Sequence, residues 1–106
     1  MPRWLPKALR RIHALAAARK VLFTLKARRE MAGLAIVLDE TDACDLLTGL
    51  TTGDSAGRLQ SAFTGEWMYL FTPSLCGTVL YLKVIVRSDC IVVSFHEDEG
   101  GDEKTS

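Results

Sequence analysis

Between residues 78 and 97 the chain reads TVLYLKVIVRSDCIVVSFHE, two runs in which apolar and polar side chains alternate around a short polar break. A period of two marks strands with one buried face, and two such runs joined by a turn predict a β-hairpin. A turn at Ser88 and Asp89, or a four-residue loop over 87–90, sets Val86 opposite Ile91, Val84 opposite Val93 and Leu82 opposite Phe95. The other face then carries Arg87 beside Cys90, Ile85 beside Val92, Lys83 beside Ser94 and Tyr81 beside His96. A three-residue loop would slip one strand and place Ser94 and His96 among the valines, which the cost of burying them opposes. One face is therefore core, and the other offers a phenol, an amine, a hydroxyl and an imidazole. Opposed side chains lie ~5 Å apart at Cβ, close enough for acid/base chemistry. A solvated strand face would show the same alternation with no function attached.

Upstream, the pattern changes to helical spacing. Leu5, Leu9, Ile12 and Ala16 form one stripe, with Lys7, Arg10 and Arg11 on the other side and Pro6 in the first turn, where its missing N–H costs nothing. His13, at the edge of that stripe, is expected to pack rather than to bind a ligand. Val21, Leu22 and Phe23 predict a short edge strand. Thr24 can cap a second helix from Leu25 to about Met31, ended near Gly33. Asp39 or Thr41 can cap a third, which turns Ala43, Leu46, Leu47 and Leu50 inward and stops in TGLTTGD. Residues 58–63 predict a weak strand, Gly65 a turn, and residues 67–71 a strong strand ended by Pro73. This order predicts an α+β fold, N-terminal helices packed on one face of a twisted antiparallel β-sheet. A single domain is expected over 1–98, followed by a charged, Gly-rich tail over 99–106 with nothing to bury, expected to be disordered.

Composition adds one asymmetry. The formal net charge is zero, yet residues 1–29 hold nine Lys or Arg and no acid, while all thirteen acids lie beyond them. A basic half of this kind suits a polyanion or an acidic partner. The alternative is a basic helix face that only balances the acidic half. No apolar run approaches the ~20 residues of a membrane span, and no secretory signal is visible, so a cytoplasmic protein without membrane contact is expected. Cys44, Cys76 and Cys90 are odd in number and lack CxxC spacing; they read as small hydrophobes, with Cys90 near the turn partly exposed. With two histidines, a zinc site would be contrived, and no cofactor is expected.

The chain has no GxGxxG, Walker loop, HExxH or GxSxG. What remains is a set of His, Tyr, Lys and Arg beside a basic segment. That set suits cleavage of RNA by its own 2′-hydroxyl. There the protein supplies a proton donor or acceptor, cations for the charged phosphorane, and a surface that positions the strand.

The stretch LYLKVIVRSDCIVVSFHEDE, preceded by GEWMYLFTP, resembles the C-terminal half of the motility quorum-sensing regulator (MqsR-type) toxins. These are mRNA interferases with a RelE-like fold. The resemblance spans residues 5–98, is specific over 65–97, and is looser upstream, where LLTGLTTGD is similar to the family's third helix and following loop. It implies a toxin of a type II toxin–antitoxin system, a metal-independent endoribonuclease that cuts mRNA and is restrained by a cognate antitoxin. The family's strand tyrosine matches Tyr81, its closing-strand lysine stands as His96, and its loop lysine aligns near Arg58. Met68 stands where the family has Gln, so substrate contact there must differ. The roles implied are His96, Tyr81 and Arg58 in catalysis, with Lys83, Arg87, Arg10 and Arg11 holding substrate. Two alternatives stay open: a RelE-like interferase that acts only on the ribosome, and a non-catalytic RNA- or protein-binding module.

Overall fold

The first helix, α1 (Trp4–Ala17), buries the predicted stripe: Leu5, Leu9, Ile12 and Ala16 are each at most 5% exposed. It ends at Arg19, whose φ of 60° turns the chain into β1 (Val21–Phe23). In this computed structural model, which describes residues 1–98, two more helices follow, α2 (Leu25–Ala32) and α3 (Glu40–Thr48). Thr24 caps α2, its hydroxyl accepting from the Ala27 N–H at 3.0 Å. Asp39 caps α3 in a reciprocal box with Asp42, and Gly49 ends that helix. Of the residues predicted to face inward from α3, Ala43, Leu47 and Leu50 are buried and Leu46 is half-buried.

Five strands complete the sheet: β2 (Ser55–Gln60), β3 (Trp67–Phe71), β4 (Ser74–Leu75), β5 (Thr78–Val86) and β6 (Cys90–Glu97). The order is β1-β6-β5-β3-β2, with the short β4 paired to the start of β5. The fold is the expected α+β. The sheet is antiparallel except at its β1 edge, which joins β6 in parallel. Phe71, Leu80, Leu82, Val84, Val92 and Phe95 are fully buried on one face and share a core with Leu9 and Ile12 of α1 and Leu47 of α3.

Two strands depart from expectation. β2 begins at Ser55 rather than Arg58, and Phe63, predicted to end it, is 99% exposed in the turn before β3. Ser61 makes that turn, its hydroxyl accepting from the Phe63 and Thr64 N–H groups. The hairpin loop has three residues, between the two- and four-residue loops expected and of the length that the cost of burial was expected to oppose. Residues 87–89 form it, and Val86 pairs Cys90, Ile85 pairs Ile91 and Val84 pairs Val92. A bulge at Val93 then restores the predicted register, with Lys83 opposite Ser94, Leu82 opposite Phe95 and Tyr81 opposite His96. The extra residue in β6 reconciles a tight loop with burial of the correct face. Cys90 pairs Val86 on the core side and is fully buried, not partly exposed; Cys76 is the exposed cysteine. The 99–106 tail lies outside the described residues.

Candidate active site on the open face of the sheet

The sheet face away from α1 carries the side chains that alternate with the core. Tyr81 and His96 meet there as cross-strand neighbours, their rings stacked with centroids 5.0 Å apart and planes at 23°. His96 Nδ1 lies 2.6 Å from the Glu97 carbonyl oxygen. A carbonyl can only accept, so Nδ1 carries the proton and Nε2 is left as the working nitrogen. Burial pushes the Tyr81 phenol above its ordinary value, and the Asp98 carboxylate adds to this while the Lys26 ammonium opposes it. Tyr81 is therefore a neutral hydrogen-bond donor at neutral pH.

A cation whose charge is felt at Tyr81 comes from α2. Lys26 Nζ donates at 2.8 Å both to Ser94 Oγ and to Glu30 Oε2. Ser94 is only 2% exposed, so this bond satisfies a hydroxyl that the hairpin pattern alone leaves unpaired. The carboxylate of Glu30 continues the network by accepting the Phe95 backbone N–H through Oε1, at 2.9 Å. Burial raises the Glu30 carboxyl, but Lys26 and that N–H outweigh it and hold the group below its usual range. Sequence reasoning passed over Lys26. No local signal points to it, because the hairpin pattern set Ser94 on an open face and only the fold shows that hydroxyl to be buried and in need of a partner.

Of the predicted site residues, Tyr81, His96 and Lys83 come together on this face. Arg58 does not. It pairs with Tyr69, which pairs with Val84, a row that faces the helices. The cause is a bulge between Ser55 and Gly57, where Gly57 adopts a φ of 104° that an L side chain rarely tolerates. Gly57 thus occupies the open face in the row of Leu70, Lys83 and Ser94, and Arg58 is turned to the other side. Arg87 is held in a bidentate pair with Glu66, at 2.7 Å from Nε and 2.5 Å from Nη2. Arg10 and Arg11 lie on α1, across the sheet, and Arg11 donates to the Arg87 carbonyl oxygen at 2.9 Å. Met68 stands on the open face in an apolar row with Leu59, Ile85 and Ile91. His13 packs as expected, with Nε2 2.7 Å from the Leu50 carbonyl.

A pocket of about 550 Å³ lies elsewhere, between α3 and the β4 turn, with Leu38, Leu46 and Leu75 in its wall. Asp42, Asp45 and Asp54 rim it, so it would repel a phosphodiester, whereas the open face meets one with Lys26 and Lys83. No helix of the described residues is long and apolar enough to cross a membrane.

Comparison with curated proteins gave no match. A family model does match, described as "Motility quorum-sensing regulator, toxin of MqsA", over residues 6–97. That span takes in α1 from its third residue, the other two helices and the whole sheet, including both partners of the Tyr81–His96 pair. The chain therefore belongs to the motility quorum-sensing regulator toxin family, the toxins of toxin–antitoxin pairs whose partner is an antitoxin.

Proposed function

We propose that this toxin is a metal-independent endoribonuclease that cleaves mRNA by attack of the 2′-hydroxyl on the adjacent phosphate, with its site at Tyr81 and His96. The observation that carries this reading is the stacked Tyr81–His96 pair with Lys26 beside it and Lys83 two residue pairs along the same strands.

In the reaction the 2′-oxygen loses its proton and bonds to phosphorus, and the bond to the 5′-oxygen breaks. The neutral His96 ring accepts the 2′-hydroxyl proton at Nε2 and, as the imidazolium so formed, passes it to the departing 5′-oxygen, leaving a 2′,3′-cyclic phosphate and a 5′-hydroxyl. Tyr81 donates to a non-bridging phosphate oxygen, and Lys83 and Lys26 offset the charge that grows in the transition state. With Arg58 stacked across the sheet and Arg87 engaged by Glu66, Lys83 keeps the cationic role expected of it, and Lys26, itself paired with Glu30, supplements it.

The test is incubation of the purified protein with a long unstructured RNA in EDTA, beside His96→Ala. The reading expects discrete fragments with 5′-hydroxyl ends that disappear in the variant. Intact RNA that is cut only when ribosomes are added would transfer the site to a ribosome-dependent reaction. No cleavage in either setting would leave a binding module.

A further inference from the structure

Trp4, Arg58 and Trp67 form a stack that the open-face site does not use. The Arg58 guanidinium carbon lies 3.8 Å from the Trp67 ring centroid and 4.7 Å from that of Trp4. Trp4 in turn meets Tyr69 at 5.5 Å between centroids, tilted by 39°. Beside Trp4 and Tyr69 opens a pocket of about 220 Å³, bounded by Lys7 and Arg11 of α1 and by Val86. An arginine caught between two indoles fixes both rings, so Trp4 offers a preset aromatic surface rather than a mobile one. The pocket lining holds two aromatic rings and two cations and no carboxylate. That chemistry fits a flat π system joined to a negative charge, which is a nucleobase with its phosphate. Stacking on such rings accepts any base, and cations beside them take the backbone. An acidic peptide would supply the charge but not the ring. The volume also falls below the roughly 300–1,000 Å³ of sites for larger ligands.

We propose that the Trp4–Tyr69 pocket, with Lys7 and Arg11, binds one nucleotide of single-stranded RNA by stacking, as a subsite on the helix side of the sheet distinct from Tyr81 and His96. The proposal rests on the RNA reading above only for the identity of the polymer. It gives a role to the basic face of α1 and to Arg58, which acts as a positioning residue for Trp4.

Both tryptophans of the protein belong to this cluster, so intrinsic fluorescence reads it directly. The full chain is titrated with a short 2′-O-methyl oligoribonucleotide, which cannot be cut because it lacks the nucleophile. Inorganic polyphosphate and polyglutamate are titrated in parallel. Saturable quenching by the oligonucleotide alone is expected, with affinity falling about tenfold or more in Lys7→Glu and in Tyr69→Leu. Arg29→Glu makes the same charge change on exposed α2 and should leave quenching intact. Lys7 is exposed, so its variant keeps the test valid even if Tyr69→Leu unfolds. Three results would each overturn the proposal: oligonucleotide binding by anisotropy without quenching, equal loss in Lys7→Glu and Arg29→Glu, or equal quenching by polyglutamate. Quenching without RNA cleavage would keep this subsite and defeat the ribonuclease reading, and cleavage without quenching would do the reverse.

Discussion

His96 and His13 are the protein's only histidines, and their surroundings separate their roles. His13 spends Nε2 on the Leu50 carbonyl, whereas His96 spends Nδ1 on the Glu97 carbonyl and is left with Nε2 for other work. His96→Ala should therefore lower single-turnover RNA cleavage by about 10²–10⁴-fold, the usual contribution of one acid/base group. Tyr81→Phe, which keeps the ring stack and removes the donor, should lose less. The pH–rate profile should show no Tyr81 ionisation below its ordinary value of 10.0, because burial raises the phenol. The cysteines give an independent check. Cys90 is buried with its thiol pushed up to about 12, Cys44 is buried, and Cys76 is exposed. Alkylation of the native protein followed by mass spectrometry should label Cys76 alone, since a buried, protonated thiol does not react.

At the scale of elements, the relation of α2 to β6 decides whether the site exists. β1 pairs with β6 only through residues 90–92, and α2 supplies the partners beyond. The Thr24 N–H bonds the Val92 carbonyl at 3.1 Å, the Thr24 hydroxyl donates to the Val93 carbonyl at 3.2 Å, and Glu30 takes the Phe95 N–H. A helix cap thus also secures the bulge that sets Ser94 and His96 on the correct face. Thr24→Val removes both hydroxyl bonds and should cost about 1–2 kcal/mol in urea unfolding. The Glu30 carboxyl is depressed in the fold, so its contribution is full above the ordinary value of 4.5 and is lost as pH falls through the lower folded value. Acid unfolding of Glu30→Gln should show a shallower dependence on pH below 4.5 than the parent, since that titration is gone.

Across the whole molecule, the basic N-terminal segment divides into two uses. Arg19 pairs with Asp45, Lys26 with Glu30 and Arg28 with Glu40, which ties part of the charge into the fold. Lys7, Arg10 and Arg11 form no ion pair among the described residues and keep α1 basic toward solvent. Arg10→Glu should weaken RNA binding and make it less dependent on salt, with the log–log slope shallower by about 0.7 for each phosphate that is no longer neutralised. Binding of the antitoxin in the same variant separates the two partners that a basic face can serve. If antitoxin binding falls and RNA binding is unchanged, the α1 surface belongs to the protein partner.

The local periodicities of the chain determined the helices, the cap at Thr24, the choice of Asp39 or Thr41 for the third helix, the α+β class and the far half of the hairpin, because each depends on neighbours a few residues apart. Burial alone then set Tyr81 beside His96. The side on which Arg58 emerges was not legible, because one residue of bulge at Gly57 reverses a strand's faces and the pattern of 58–63 has no strong alternation to fix it. The Val93 bulge was hidden for a related reason: loop length and strand register compensate, and only the bonds from Thr24 show where the extra residue sits. Lys26 joined the site, and Arg87 left it, through partners far away in sequence, Ser94 and Glu66. Tertiary structure decided these because an ionic side chain takes its role from the charge and the hydrogen-bonding group that folding places against it, and no local pattern records that choice.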